Sequence, residues 1–239
     1  MGQFAGKTVM ITGAAGAIAG GVVEKFAAEG ANLVLVDHSE DKLKQRVEAW
    51  GDALGEYRIV AGDLGKPEDV DLAIQQAEAA FGHIDVLAHI AGGFAMGDPV
   101  HEADISVFEK MIYLNARLTF ITCGRVAKHM VEKGVQGCII GITARPAQGA
   151  APRMAAYAAS KAAAQRILES MAKELMEHNI RVNGLAPSVV DTPANRADMP
   201  NADFSKWVTP AQIADTIAFL ASDAASAISG QNIGIYNKA

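Results

Sequence analysis

The sequence predicts an α/β fold in which a parallel sheet is covered by helices on both faces, giving three α/β/α layers. Short apolar segments rich in β-branched residues alternate with helical segments along the whole chain. Strands separated by such helices pair in parallel, and a sheet covered on both faces needs strands that are apolar throughout. No linker interrupts the alternation, so residues 1–239 are predicted to form one domain.

The predicted strands share an apolar composition and borders that contain glycine, proline or aspartate. In order they are KTVMITG, NLVLVD, YRIVAGD, IDVLAHIAGG, GCIIGIT, IRVNGLAP and QNIGIY. The predicted helices are AIAGGVVEKFAAEG, SEDKLKQRVEAWG, KPEDVDLAIQQAEAAFG, a long segment from Ile105 to Lys133, AAYAASKAAAQRILESMAKELMEHN and PAQIADTIAFLASDAA. Gly30 is expected to end the first helix, Ser39 to cap the second and Pro67 to stand near the start of the third.

Composition excludes several classes of function. The net charge of −6 lacks the clustered Lys and Arg that nucleic-acid binding requires. No apolar run reaches the roughly 18–20 residues of a membrane span, and no signal peptide is recognisable. Two cysteines cannot build a disulfide framework, so we expect both to be thiols in the core of a cytoplasmic protein. The expected partner is a small-molecule substrate.

A glycine-rich segment and an acidic residue together predict a dinucleotide site. TGAAGAIAGG follows the first strand and opens the first helix, where small residues let a backbone approach a pyrophosphate. Asp37 ends the second strand, 24 residues after Gly13, and can bind both adenosine ribose hydroxyls. This carboxylate would repel a 2′-phosphate, so NAD(H) is predicted over NADP(H). The alternative role of Asp37 is a cap for the next helix, which Ser39 can also provide.

Two further residues have open roles at this end. His38 is either a surface residue or a ring that lines the adenine side. Asp63, at the end of the third strand, can either cap its loop or bind the adenine amino group.

The chain resembles the short-chain dehydrogenase/reductase family over almost its whole length. The resemblance rests on TGAAGAIA, Asp37, GDL at 62–64, IAGG at 90–93, LNA at 114–116, YAASK at 157–161 and RVNGLAPSVVDTP at 181–193, in family order and spacing. It implies one doubly wound, Rossmann-like domain with about seven parallel strands. It also implies a homodimer or homotetramer formed through the long helices at about 105–133 and 155–178.

The resemblance also implies which residues bind the cofactor. They are Gly13, Ala15, Ala17 and Ile18 in the pyrophosphate turn, Asp37 and His38, Asp63 and Leu64, Ala91 and Gly92 at the adenosine ribose, Tyr157 and Lys161, and Pro187, Val190 and Thr192 at the nicotinamide carboxamide. Ala17 and Ala19 replace glycines that are usual in the family, and Ser188 replaces another. His89 and Ile90 stand where the family has two asparagines, and the role of His89 is open between a structural imidazole and a catalyst.

Tyr157 and Lys161 are four residues apart on one predicted helix and therefore share a face. A tyrosine near its ordinary pKa of about 10 is a poor base, and a lysine ammonium and an oxidised nicotinamide nearby would lower that pKa. In the reductive direction Tyr157 would protonate the substrate instead. The resemblance implies that Lys161 also binds the nicotinamide ribose and that Asn115 holds a water linking Lys161 to solvent.

The position that usually carries a catalytic serine, thirteen residues before Tyr157, is Ala144. Thr143 is adjacent but points to the other face of a regular strand, so it could replace the serine only at a bulge. A water is the other candidate. Dihydropteridine reductases are locally similar, with alanine at this position and an Ala-Gly-Gly-aromatic run like AGGF at 91–94; an activated acceptor would need no oxyanion donor.

Residues near the expected cleft give weaker hints about the substrate. Arg145 and Arg153 could bind an anionic group or be surface charges. The segment 194–207 occupies the position of the family's substrate lid and suits a compact, partly flat substrate. The sequence thus predicts an NAD(H)-dependent oxidoreductase for a small carbonyl, alcohol or activated imine, with a redox-silent NAD-binding regulator or scaffold as the alternative.

Overall fold

Seven parallel strands form one sheet in the order β3-β2-β1-β4-β5-β6-β7 in a computed structural model that describes residues 2–238. The strands are β1 Thr8–Thr12, β2 Asn32–Asp37, β3 Tyr57–Ala61, β4 Val86–His89, β5 Cys138–Ile142, β6 Arg181–Pro187 and β7 Asn232–Ile235. The predicted seven-stranded, Rossmann-like α/β fold is confirmed. The strand order reverses direction at β1 and β4, and ligands of such sheets bind beyond the carboxyl ends of the strands at this point.

Helices cover both faces of the sheet. They are α1 Ala17–Ala28, α2 Glu40–Trp50, α3 Pro67–Phe81, α4 Ile105–Met111, α5 Leu118–Lys133, α6 Ala155–Glu174, α7 Pro193–Asp198 and α8 Pro210–Ala221. The local signals behave as predicted: α1 ends just before Gly30, whose φ is +80°, and the Lys42 N–H donates to Ser39 Oγ at the start of α2. Helix α7 was not predicted; it begins directly after its N-cap residue Thr192, whose hydroxyl accepts from Asn195 N–H.

Two apolar cores lie on opposite faces of the sheet. Side chains such as Phe26, Leu35 and Ile217 pack between the sheet and the layer of α1, α2 and α8. Side chains such as Leu87 and Leu168 pack against α3, α5 and α6. Each fully buried large apolar side chain contributes about 1.5–3 kcal/mol, so these cores fix the strands that carry the site.

Both cysteines are free and buried, as predicted. Burial raises the pKa of the Cys123 and Cys138 thiols to about 12, so neither is a reactive thiolate at neutral pH. Within residues 2–238, none of the helices combines the length and the apolarity that a bilayer span requires.

The helix predicted from Ile105 to Lys133 is interrupted by a π-helical turn, Ile112–Arg117. Asn115 lies in this turn and is 1% exposed, with its side-chain amide hydrogen-bonded to the backbone of Gly93. The Thr119 hydroxyl donates to the Asn115 carbonyl at 2.6 Å. A π turn widens a helix locally and is often found at functional sites, and here it turns Asn115 toward the carboxyl edge of the sheet.

Candidate active site

The turn from β1 to α1 depends on Gly13. Its φ is +66°, and a Cβ at this position would lie 2.9 Å from Ala91 Cα. Only glycine satisfies both constraints, so Gly13 brings the predicted pyrophosphate turn directly against the loop that follows β4.

The N-terminus of α1 offers unpaired donors. Gly16 is the N-cap residue and provides no side-chain acceptor. The N–H groups of Ala17 and Ile18 lie in the first turn and have no intrahelical acceptor. The arrangement is one that binds an anion such as a pyrophosphate.

Asp37 organises the same turn from the end of β2. Ala15 N–H donates to Asp37 Oδ2 at 3.1 Å, and Ser39 N–H donates to Oδ1 at 3.2 Å. His38 Nδ1 lies 2.9 Å from Oδ1 and its ring is largely exposed. Asp37 therefore supports the backbone of the turn, and Oδ2, which accepts only from Ala15 N–H, keeps a second lone pair for a hydroxyl donor at the predicted ribose site.

Asp63 has partners that the sequence analysis missed. The Tyr113 hydroxyl donates to Asp63 Oδ1 and Oδ2 at 3.0 and 2.8 Å, and Gly65 N–H donates to Oδ1. Partial burial opposes ionisation of Asp63, but the hydrogen bonds from Gly65 and Tyr113 outweigh it and lower the pKa of the carboxyl. Leu64 is buried in the core, so only its backbone can face the predicted adenine side. Arg117 donates to the Gly65 carbonyl. The i, i+4 spacing of Tyr113 and Arg117, which places both side chains on one helix face, was the sequence signal that could have identified these partners of the Asp63 loop.

Thr12 and His89 connect β1 to the loop after β4. The Thr12 hydroxyl accepts from Ile90 N–H at 3.1 Å and from Ala91 N–H at 3.2 Å. It lies 3.0 Å from His89 Nδ1. His89 is 1% exposed, and burial, followed by the charge of Lys161, lowers its pKa to about 3. The imidazole is therefore neutral across the physiological range.

Asn115 joins the loop after β4 to α6. Its amide group accepts from Gly93 N–H and donates to the Gly93 carbonyl, both at 3.0 Å. It also donates to Ser160 Oγ at 2.9 Å, and Ser160 in turn donates to the Tyr157 carbonyl. Ser160 was missed because its partner lies 45 residues away in sequence. The Asn115 amide therefore fixes the predicted cofactor loop against α6.

Lys161 and Tyr157 lie one turn apart on α6, as predicted. Lys161 is 5% exposed, its Nζ donates to the Ile142 carbonyl at 2.8 Å, and burial lowers its pKa to about 8. Burial raises the pKa of Tyr157 to about 12. The lowering expected from Lys161 together with a bound oxidised nicotinamide stays a prediction. The Tyr157 ring meets the exposed ring of Phe94 edge-to-face, with centroids 4.9 Å apart.

The Thr143 hydroxyl is hydrogen-bonded to a residue outside the Tyr157 and Lys161 pair. Its hydroxyl donates to Asn232 Oδ1 on β7 at 2.6 Å, across Gly184, and its N–H continues the ladder to Leu185 without a bulge. Ala144 follows in extended conformation and is 3% exposed. A catalytic role for Thr143 stays a prediction, and the hydrogen bond to Asn232 argues against it.

The segment that follows β6 is fixed by burial and by hydrogen bonds. Val190 is buried, and its carbonyl accepts from Asn195 Nδ2 at 2.7 Å, while Thr192 caps α7. The Ser188 hydroxyl donates to the Tyr236 carbonyl, which explains how serine is accommodated in place of the usual glycine. The residues predicted at the nicotinamide carboxamide, Pro187, Val190 and Thr192, thus form one fixed strand end and loop.

The two arginines predicted near the substrate are engaged within the protein. Arg153 donates to the Gly97 carbonyl at 3.0 Å and to Asp98 at 3.3 Å, and thereby ties together two loops. The Arg145 guanidinium lies 4.9 Å from the centre of the Tyr236 ring. Both guanidinium groups therefore serve loop packing, and an additional role toward a substrate stays a prediction.

The sequence matches a family model described as Enoyl-(Acyl carrier protein) reductase over residues 13–235. A glucose 1-dehydrogenase from Gluconobacter oxydans is 31% identical over 97% of this chain and 91% of the relative.

Among solved structures, a short-chain type dehydrogenase/reductase from Mycobacterium ulcerans superposes with a TM-score of 0.92 at 27% identity, covering 99% of this chain and 90% of that chain. A 3-ketoacyl-(acyl-carrier-protein) reductase from Brucella melitensis, complexed with NADH, gives 0.88 at 27% identity, covering 98% of each chain. The chain therefore belongs to the short-chain dehydrogenase/reductase family and is an oxidoreductase.

Proposed function

We propose that the protein is an NAD(H)-dependent reductase or dehydrogenase in which Tyr157 is the proton donor or acceptor and Lys161 and Asn115 support it. One observation carries the proposal. A Cβ placed on Gly92 would lie 2.8 Å from Asn115 Oδ1 and 3.1 Å from Lys161 Nζ. The predicted cofactor loop and two of the predicted catalytic residues thus border one small space, which only a residue without a side chain leaves open.

The residues present fit a dinucleotide. The uncapped first turn of α1, with Ala17 and Ile18, suits the pyrophosphate, and Gly13 keeps the turn against Ala91. Asp37 favours the free ribose hydroxyls of NAD(H) over a 2′-phosphate. The relative complexed with NADH is consistent with this choice. A nicotinamide bound here supplies or accepts the hydride.

The protein's own contribution is the movement of one proton. Tyr157, with its pKa raised to about 12, stays protonated at neutral pH and gives its hydroxyl proton to a substrate oxygen or nitrogen. The Lys161 ammonium stabilises the tyrosinate that remains, and its bond to the Ile142 carbonyl fixes its position. In the oxidative direction the Tyr157 tyrosinate, stabilised by the Lys161 ammonium, accepts the proton from the substrate.

The substrate class follows from the missing hydroxyl. Ala144 offers no donor, and Thr143 is bound to Asn232. We therefore propose an acceptor that needs little polarisation, such as a diketone, a quinone or an activated imine, which includes a quinonoid dihydropterin. The exposed Phe94 beside Tyr157 suits a flat acceptor of this kind.

The experiment is NADH oxidation by the purified protein with quinonoid dihydropterin, diketones, quinones and simple ketones. Tyr157→Phe is expected to lower kcat by about 10²–10⁴ while NADH still binds. Tyr57→Phe, on β3 away from the site, is the matched control and is expected to retain the full rate. Full activity of Tyr157→Phe would contradict the mechanism. NADH binding without turnover on every acceptor would instead favour the redox-silent alternative.

A further inference from the structure

His89 carries a buried polar atom without a partner. Its Nε2 makes no hydrogen bond to any group of residues 2–238, and the side chain is 1% exposed. Leaving a buried donor unpaired costs about 1–3 kcal/mol, so such atoms in native proteins point to a water or a ligand. The nature of this occupant depends on whether Nε2 carries a proton and on the direction in which the ring points.

The hydrogen bonds of Thr12 determine the tautomer. A hydroxyl has two acceptor sites and one donor, and both acceptor sites of Thr12 Oγ1 are used by the N–H groups of Ile90 and Ala91. Its own proton is therefore directed at His89 Nδ1, 3.0 Å away. Since the ring is neutral, the remaining proton is on Nε2, which is a hydrogen-bond donor.

The register of the strands directs the ring toward α6. His89 pairs with Thr12 on one side and with Gly141 on the other. A Cβ on Gly141 would point at the Leu168 side chain of α6, and register partners in a parallel sheet point to the same face. Lys161 lies two turns before Leu168 on the same side of that helix. The His89 ring therefore faces the layer that holds Lys161, in agreement with the effect of the Lys161 charge on its pKa.

Asn115 is a poor holder for a water beside Lys161. Both of its N–H bonds are used, toward the Gly93 carbonyl and Ser160 Oγ, and Oδ1 accepts from Gly93 N–H. Only a second lone pair on Oδ1 remains, so the Asn115 side chain can accept one hydrogen bond from a water but has no N–H left to donate to it. His89 Nε2–H, by contrast, is a buried donor that has no partner among residues 2–238.

We propose that His89 holds a buried water through Nε2–H, and that this water also accepts from Lys161 Nζ and donates to Asn115 Oδ1. Such a water has three partners, the number typical of buried waters. His89 is thus a positioning residue for the proton path that leads through Lys161 to Tyr157. This role rests on the proposed function, whereas the water and the tautomer do not depend on turnover.

Two measurements without turnover come first. A high-resolution crystal structure of the cofactor-free protein is expected to show a water within hydrogen-bond distance of His89 Nε2 and Lys161 Nζ. ¹⁵N NMR of histidine-labelled protein, assigned with His89→Asn, is expected to show a neutral ring protonated at Nε2. An Nδ1-protonated ring, or no water at Nε2, would overturn the proposal even if the enzyme is active.

The kinetic test compares His89→Leu, which has similar volume and no donor, with His89→Asn, which keeps a donor. His89→Leu is expected to lack the water and to lower kcat about tenfold with an unchanged Kd for NADH, and its melting temperature checks folding. His89→Asn is expected to retain the water and most of kcat. Equal kcat for His89→Leu and the parent protein would overturn the role in proton transfer. Inactivity of the parent protein itself would count against the proposed function alone, because the water and the tautomer are judged separately.

Discussion

Replacing Lys161 by methionine tests whether the protein keeps a buried charge at its active site. The side chain is 5% exposed, and burial lowers its pKa from 10.5 to about 8. A pKa difference of this size corresponds to about 3 kcal/mol, at about 1.4 kcal/mol for each pH unit. Methionine has a similar length and carries no charge, so Lys161→Met removes this cost of burying the ammonium.

The sign of the pH dependence follows from the two protonation states. Below pH 8 the lysine is protonated in both the folded and the unfolded chain, and the folded state bears the whole cost. As the pH rises above about 8, folded Lys161 loses its proton while the unfolded lysine keeps it, and the cost falls until about pH 10.5. The stability of the parent protein relative to Lys161→Met therefore rises with pH in this window.

The assay is urea denaturation of both proteins at pH 7 and pH 9.5. The difference in the free energy of unfolding, Lys161→Met minus parent, is expected to shrink by about 2 kcal/mol between the two values. Lys128→Met is the matched control, because Lys128 is 64% exposed and its difference is expected to change by less than about 0.5 kcal/mol. A difference for Lys161→Met that is constant within about 0.5 kcal/mol would refute the lowered pKa.

Three further predictions concern the cofactor site and the assembly. Gly92→Ala would place a methyl group 3.1 Å from Lys161 Nζ, and we expect NADH binding, measured by fluorescence titration, to weaken at least about tenfold. Gly124→Ala, which has nothing within 4 Å of the added methyl group, is the control and is expected to bind NADH normally. Asp37→Asn keeps the acceptor for Ala15 N–H but removes the charge, so NADH affinity is expected to fall about tenfold and the preference over NADPH to narrow; an unchanged preference would contradict the assigned role. Phe120 on α5 is 67% exposed, and we predict that Phe120→Glu shifts a dimer or tetramer toward monomer in light scattering, whereas a parent protein that is already monomeric would refute the predicted assembly.

The fold could be predicted because the seven strands and the longer helices carry their own local signals. Apolar β-branched strands, the cap at Ser39 and the stop at Gly30 depend on neighbours within a few residues. The π turn at Ile112–Arg117 could not be predicted in this way, since it accommodates the contact of Asn115 with Gly93, 22 residues earlier. Periodicity alone describes that stretch as one regular helix.

The residues of the candidate site also differ in whether a local sequence pattern identifies them. Tyr157 and Lys161 are recognisable from sequence because their spacing is that of one helical turn. The links from Thr12 to His89 and from Asn115 to Ser160 join residues 77 and 45 positions apart, and only the folded chain brings them together. The effect of burial on the Tyr157 pKa was missed because burial, unlike spacing, has no local sequence signal.

The missing serine narrows the chemistry that this site can perform. Losing one donor to a developing oxyanion typically costs about 10²–10³ in rate. Ala144 has no hydroxyl and Thr143 donates to Asn232, so in the proposed mechanism Tyr157 is the donor to the substrate. With a pKa of about 12, Tyr157 is a weak acid that polarises an ordinary ketone poorly. An acceptor that is already electron-poor accepts hydride before the proton arrives, and for such a substrate the loss of the serine costs little. The same alanine that argues against simple ketones therefore argues for an activated acceptor.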